Sequence, residues 1–161
     1  SPEMKSTGEA IGYDDRLPYA LYKAMQAAGM KLQDHGTVLL SICPEDLEEA
    51  LPLVGRFYRL GFNIEATTGT AQFLKDHGIR TRVRRDYTED PAEITGLMRS
   101  GRVAYIINTR DLSSSQHVNA GVAMRRLAIE NNLTTFTSLD TVRALLDVLE
   151  AVTSRISTID E

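Results

Sequence analysis

Hydrophobic positions along this chain fall into short apolar runs separated by amphipathic stretches. Thr37 to Ile42, reading Thr-Val-Leu-Leu-Ser-Ile, is nearly continuously apolar and rich in strand formers, the pattern of a strand covered on both faces. Val103 to Ile107 repeats it and ends in Asn108-Thr109. Phe62, Ile64 and Ala66 alternate with Asn63 and Glu65 in a further strand, which leads into Thr67-Thr68-Gly69-Thr70 and a helix from Ala71 to His77, stopped at Gly78. Ile79 to Arg85 and Thr134 to Phe136 are weaker strand patterns.

Between these runs the period lengthens to that of a helix. Leu17, Leu21, Ala24 and Ala28 follow Asp14-Asp15 at spacings of three or four and stop at Gly29. Pro44 to Leu60 carries Leu47, Leu51, Val54 and Tyr58 on one stripe, with acidic residues near its start. Pro52 inside this stretch predicts a bend or a new first turn. Ala92 to Ser100, Val118 to Glu130 and Leu139 to Val152 complete the helices, the last with Ser138 as its N-cap. Ser1 to Tyr13 reads as a flexible arm, the helix after it as a connector outside the main core, Asp86 to Pro91 as a mobile loop, and Thr153 to Glu161 as a fraying tail.

Strands alternating with helices predict an α/β three-layer sandwich: a parallel sheet of about five strands, Rossmann-like, with helices on both faces and right-handed crossovers. Ligands of such folds sit beyond the carboxyl ends of the strands. The residues leaving those ends are Ser41, then Thr67, Thr68, Gly69 and Thr70, then Arg84 and Arg85, then Asn108 and Thr109, then Thr137 and Ser138. Hydroxyls, an amide, backbone N–H groups and guanidiniums together match a phosphorylated ribose or sugar. Two readings of Thr67 to Thr70 stay open: an anion cradle at a helix N-terminus, or a Thr70 cap beside a Gly69 turn. Arg80, Arg82 and Arg84, on one face by alternation, read either as a solvated edge or as anion ligands.

Composition narrows the class. A chain of 161 residues with 42% hydrophobic content can bury one core with an appended arm. Its net charge of -4 argues against a general nucleic-acid binder. The single cysteine, Cys43, excludes an internal disulfide and a thiolate metal cluster and fits a reducing cytoplasm. No apolar run is long enough to span a membrane, and no signal-peptide core is present. A start at Ser1-Pro2-Glu3 without Met reads as a piece of a longer polypeptide or as the result of processing. His35, His77 and His117 lack metal-site or nucleophile–base spacing, Glu65 lacks a second placed carboxylate, and the Walker A and dinucleotide glycine patterns are absent.

Particular residues resemble a known family. His35-Gly-Thr-Val-Leu-Leu-Ser41, Leu60-Gly61-Phe62 with Ala66-Thr-Thr-Gly-Thr-Ala71, Ile106-Ile-Asn-Thr109 and Arg125-Arg126 are similar to the methylglyoxal-synthase-like regulatory domain that closes the large chain of carbamoyl-phosphate synthase. Ser1 to Gly12, containing Pro-Glu-Met-Lys-Ser-Thr-Gly-Glu, resembles the end of that enzyme's second ATP-grasp unit. The resemblance implies a division into residues 1–34, the end of the ATP-grasp unit with a connecting helix, and residues 35–161, the regulatory domain. It implies a non-catalytic, cytoplasmic domain that holds uridine monophosphate, inosine monophosphate or phosphoribosyl pyrophosphate. The parent is then an ATP-dependent, glutamine-hydrolysing ligase of pyrimidine and arginine biosynthesis, using ATP with Mg or Mn. The implied partners are the ATP-grasp units of the same chain, the glutaminase small chain and further copies in an oligomer.

Under that resemblance Ser41, Thr67 and Thr70 fall on phosphate-contacting positions, Asn108 and Thr109 in the next effector loop, and Thr137 at the seam with the preceding domain. Two departures stand out. Leu47 occupies the place of an effector-binding Lys in some bacterial members, and Arg84 or Arg85 aligns only approximately with a second basic residue, so the arginines are expected to stand in for the missing ammonium. The alternative is a lyase acting on a triose phosphate, like methylglyoxal synthase. Its Gly-Pro-Leu-Gly-Gly-Asp-like catalytic loop is replaced here by Arg110-Asp-Leu-Ser-Ser-Ser115. A third possibility is a role mainly in assembly.

Overall fold

A computed structural model describes residues 13–109 and 115–160, with side chains for 17–109 and 119–154. Residues 1–12 of the arm expected over Ser1 to Tyr13, and most of the Arg110 to Ser115 loop, lie outside the described residues. The elements in order are α1 (Tyr13–Ala27), β1 (Thr37–Ser41), a 3-10 turn (Pro44–Asp46), α2 (Leu47–Arg59), β2 (Asn63–Thr67), α3 (Thr68–Asp76), β3 (Arg82–Arg84), α4 (Pro91–Arg99), β4 (Val103–Asn108), α5 (Ser115–Glu130), β5 (Thr134–Phe136) and α6 (Leu139–Asp160).

The five strands form one parallel sheet in the order β3-β2-β1-β4-β5. Strand order therefore reverses at β1, between β2 and β4. Alternation along the strands divides the core in two. Val38, Leu40, Ile64 and Ala66 face α2, α3 and α6, whereas Leu39 and Ile106 face α4 and α5 through Ile94, Leu97, Met98, Met124 and Leu127. Both faces are covered, which is why β1 and β4 read as unbroken apolar runs. On the first face Tyr105 is fully buried among the rings of Phe57, Phe62 and Phe136. Its hydroxyl takes the Gln33 N–H and donates to the Gln33 carbonyl, both at 2.7 Å, so the segment before β1 is tied to the middle of β4.

One glycine is needed where β1 enters the sheet. Gly36 has φ +114, and a Cβ there would meet the Arg102 carbonyl at 3.1 Å and the Ala104 side chain at 3.3 Å. The predicted stop at Gly78 is likewise left-handed, with φ +82.

Several boundaries differ from the sequence reading. Pro52 neither ends nor restarts its helix, because α2 runs from Leu47 to Arg59 with Pro52 inside. The restart lies earlier, where the Pro44–Asp46 turn becomes α-helix. The third helix starts at Thr68 rather than Ala71, β3 is only three residues long, and α4 begins at Pro91, whose missing N–H costs nothing in a first turn. The tail is helical to Asp160. The connecting helix is also less detached than expected: α1 packs on α6, Met25 is buried, and Met30 and Leu32 pack against the core. Among the described residues no helix is long and apolar enough to cross a membrane.

Candidate functional site

Where the strand order reverses, the carboxyl ends of β1, β2 and β4 open into a cleft of about 460 Å³. Ser41, Thr67, Gly69, Thr70, Asn108 and Thr109 line it, six of the eleven strand-end residues picked out from sequence. Their convergence follows from register. Ser41 pairs with Asn108 across β1 and β4, and β2 runs beside β1 up to Leu40 and Ala66, which brings Thr67 level with Ser41.

The hydroxyls divide into two groups. Thr70 and Thr109 are buried and serve the fold: the Ile42 N–H donates to Thr70 Oγ1 at 3.0 Å and the Cys43 N–H donates to Thr109 Oγ1 at 2.8 Å. They hold the chain as it leaves β1, on one side to α3 and on the other to β4, where the Thr109 N–H also donates to the Ser41 carbonyl at 3.1 Å. Ser41 and Thr67 bond to one another instead, with Thr67 Oγ1 donating to Ser41 Oγ at 3.3 Å.

That pairing decides the state of the helix end. Thr67 is the N-cap of α3 but its side chain makes no capping bond, so the first-turn N–H groups at Gly69 and its neighbours meet the cleft without a side-chain acceptor. A helix N-terminus with open N–H groups, flanked by two hydroxyls, is complementary to an anion such as phosphate. Of the two sequence readings, the Thr70 cap is the one the geometry does not support: Thr70 lies inside the first turn and its hydroxyl is spent on Ile42.

The other wall is apolar. Ile42, Pro44, Leu47, Ala120 and Met124 line it, with Gly121 close to the Asn108 amide. Leu47, noted as a departure, thus faces the cleft itself. Asp86, just past the end of β3, adds a carboxylate, and its Oδ1 accepts the Thr88 N–H at 3.1 Å. Cys43 lies in the lining as a protonated thiol. Burial and the Asp46 carboxylate, to which Sγ donates at 3.0 Å, push its pKa up to about 11.

Five of these residues lie outside the lining. Thr68, Thr137 and Ser138 are exposed. Arg84 is turned to the α4 side, where its Nε donates to Glu65 Oε1 at 2.6 Å and its guanidinium faces Glu93 at 3.6 Å. Arg85 is largely exposed, 3.5 Å from Asp90. The arginines therefore do not replace an ammonium in the cleft. Glu65, in the neighbouring strand, is 3% exposed and accepts from Arg102 at 3.1 Å and Thr37 at 3.4 Å as well as Arg84. A carboxylate so engaged is a structural counter-charge rather than a group aimed into the crevice.

Sequence reasoning missed Asp86, Cys43 and Met124. Asp86 stands one residue past the last strand-end residue considered, and Met124 is an ordinary core position of α5 by its periodicity.

A doubly covered parallel sheet whose strand order reverses beside a cleft defines a Rossmann-like α/β domain. More narrowly, a family profile described as MGS-like domain matches residues 49–137, and the chain belongs to that family. Among solved structures it is similar to methylglyoxal synthase from Elizabethkingia anophelis NUHP1, with a TM-score of 0.58 and 18% identity over 71% of this chain and 79% of that one. At that identity the likeness establishes the shared fold.

Proposed function

We propose that this chain is the effector-binding domain of the large chain of a glutamine-hydrolysing carbamoyl-phosphate synthase. The cleft would hold a phosphorylated effector, uridine or inosine monophosphate or phosphoribosyl pyrophosphate, and release it unchanged. The observation that carries the reading is the Ser41–Thr67 hydroxyl pair beside the uncapped start of α3, a phosphate cradle facing an apolar wall that accepts the rest of the ligand. The resemblance of Ser1 to Gly12 to the end of an ATP-grasp unit supports the parent enzyme. In that parent, ATP and its Mg or Mn act in the ATP-grasp units. Regulation would come from unequal effector affinity for two arrangements of this domain against them, because a ligand shifts an equilibrium only by its differential binding.

Cys43 gives no support to covalent chemistry at the cleft. Cys43, with a pKa near 11, is almost wholly thiol at neutral pH and a poor nucleophile. Asp86 favours one other reading, a lyase like methylglyoxal synthase, since a carboxylate opposite a phosphate cradle is what proton abstraction from a triose phosphate would need. Calorimetric titration with the three effectors, combined with incubation with dihydroxyacetone phosphate and a methylglyoxal assay, separates them. Binding without product supports the regulatory reading; product formation abolished by Asp86→Asn replaces it with the lyase, and neither binding nor product removes both.

A further inference from the structure

A second cavity, of about 490 Å³, opens at the other rim of the sheet, by the amino ends of β1 and β2. Thr37 and Asn63, register partners at the starts of those strands, line it together with Glu65, Arg80, Arg82 and Arg102. The charges there do not cancel. Glu65 and Glu93 offset Arg84 and Arg102, two carboxylates against two guanidiniums. The side chains of Arg80 and Arg82 are exposed and have no hydrogen-bond or ion-pair partner among the described residues, which leaves two unpaired guanidiniums in the lining of the cavity. This occurs in a chain whose overall charge is -4.

A charged edge strand that resists unwanted pairing would account for Arg82 alone. It does not account for Arg102, which enters from the lead-in to β4, on the far side of β1 and β2 from β3. Arg80 and Arg82 repel one another on this concave surface, which Arg102, held by Glu65, reaches from a distant segment. A multivalent oxyanion relieves that repulsion and accepts the paired N–H groups that arginine forks present. We infer that this cavity is a second anion site, distinct from the cleft, that binds a compact polyanion of the pyrophosphate class. Asn63 and the Thr37 hydroxyl supply further polar contacts.

The inference is independent of the proposed function and is tested with inorganic pyrophosphate at low ionic strength, followed by backbone amide shifts. The intact chain is compared with an Arg80→Gln/Arg82→Gln variant and a Ser41→Ala/Thr67→Val variant. Both arginines are exposed, so their removal should leave the melting temperature unchanged. Pyrophosphate should shift the amides of Asn63, Arg82 and Arg102 in the intact chain and equally in the cleft variant, while the double arginine variant should bind there at least about tenfold more weakly. Shifts confined to Thr67–Thr70, or equal affinity at Asn63 after loss of both arginines, would overturn the assignment. Arg102 is left intact because it holds Glu65.

Discussion

Thr67 Oγ1 lies 3.3 Å from Ser41 Oγ, at the ends of two adjacent strands, and this turns the N-cap side chain of α3 away from the helix it would otherwise cap. A phosphate bound there takes the single Thr67 O–H in exchange for its long bond to Ser41, so that both hydroxyls serve the anion as donors. Ser41→Ala and Thr67→Val each remove one donor to a charged group, a loss of about 1.5–3 kcal/mol, or roughly 10- to 150-fold in affinity for the effector that binds. Titration calorimetry reads the loss, and an unchanged dissociation constant in both variants would place the phosphate elsewhere.

Gly69 offers a cleaner probe, since a Cβ there meets nothing within 4 Å. Gly69→Ala should fold normally and bind nearly as well. Gly69→Asp sets a carboxylate at the open helix end, where it favours the helix dipole but occupies and repels the anion site. Effector binding should fall below detection while thermal stability holds or rises, an opposition that simple misfolding does not produce.

Arg84 is a matter of stability. Removing it leaves Glu65, 3% exposed, with only Arg102 and a long bond from Thr37. Arg84→Met should cost about 3 kcal/mol in denaturant unfolding, the scale for stripping one partner from a buried pair. Arg85→Ala, at an exposed pair, should cost less than about 0.5 kcal/mol. Neither should change the rank order of effectors.

The Cys43 thiol, with its pKa raised to about 11, should react slowly with iodoacetamide at pH 8 and accelerate toward pH 11. Asp46→Asn removes the negative acceptor beside Sγ and should move that profile to lower pH. The linkage has a definite sign: a thiol held above its ordinary value of 9.0 stabilises the fold fully below pH 9 and progressively less as pH rises through 11. An alkylation profile with an inflection near 8.5 would contradict the geometry.

Tyr105 holds the chain before β1 through one hydroxyl, and its pKa is raised to about 12 by burial. Tyr105→Phe strands the N–H and the carbonyl of Gln33 together and should cost about 1–3 kcal/mol in chemical denaturation. That cost should be fully present below pH 10 and shrink as pH rises from 10.0, the hydroxyl's ordinary value, toward about 12, because the unfolded chain ionises there while the buried hydroxyl still holds its proton.

By itself the sequence determined the layers and the location of the cleft. Apolar runs at Thr37–Ile42 and Val103–Ile107 show that both faces of the sheet are covered, and alternating strands and helices force parallel pairing, with ligands at the carboxyl ends. These are local periodicities, readable wherever the chain is cut. Tertiary structure decided how each polar side chain is used, because hydroxyl and guanidinium partners lie far away in sequence. Thr70 meets Ile42 and Arg84 meets Glu65 only after β2 has been laid beside β1 and β3. Strand alternation places Arg84 on a face, but whether its charge meets a ligand or a buried carboxylate depends on neighbouring strands that no single segment encodes.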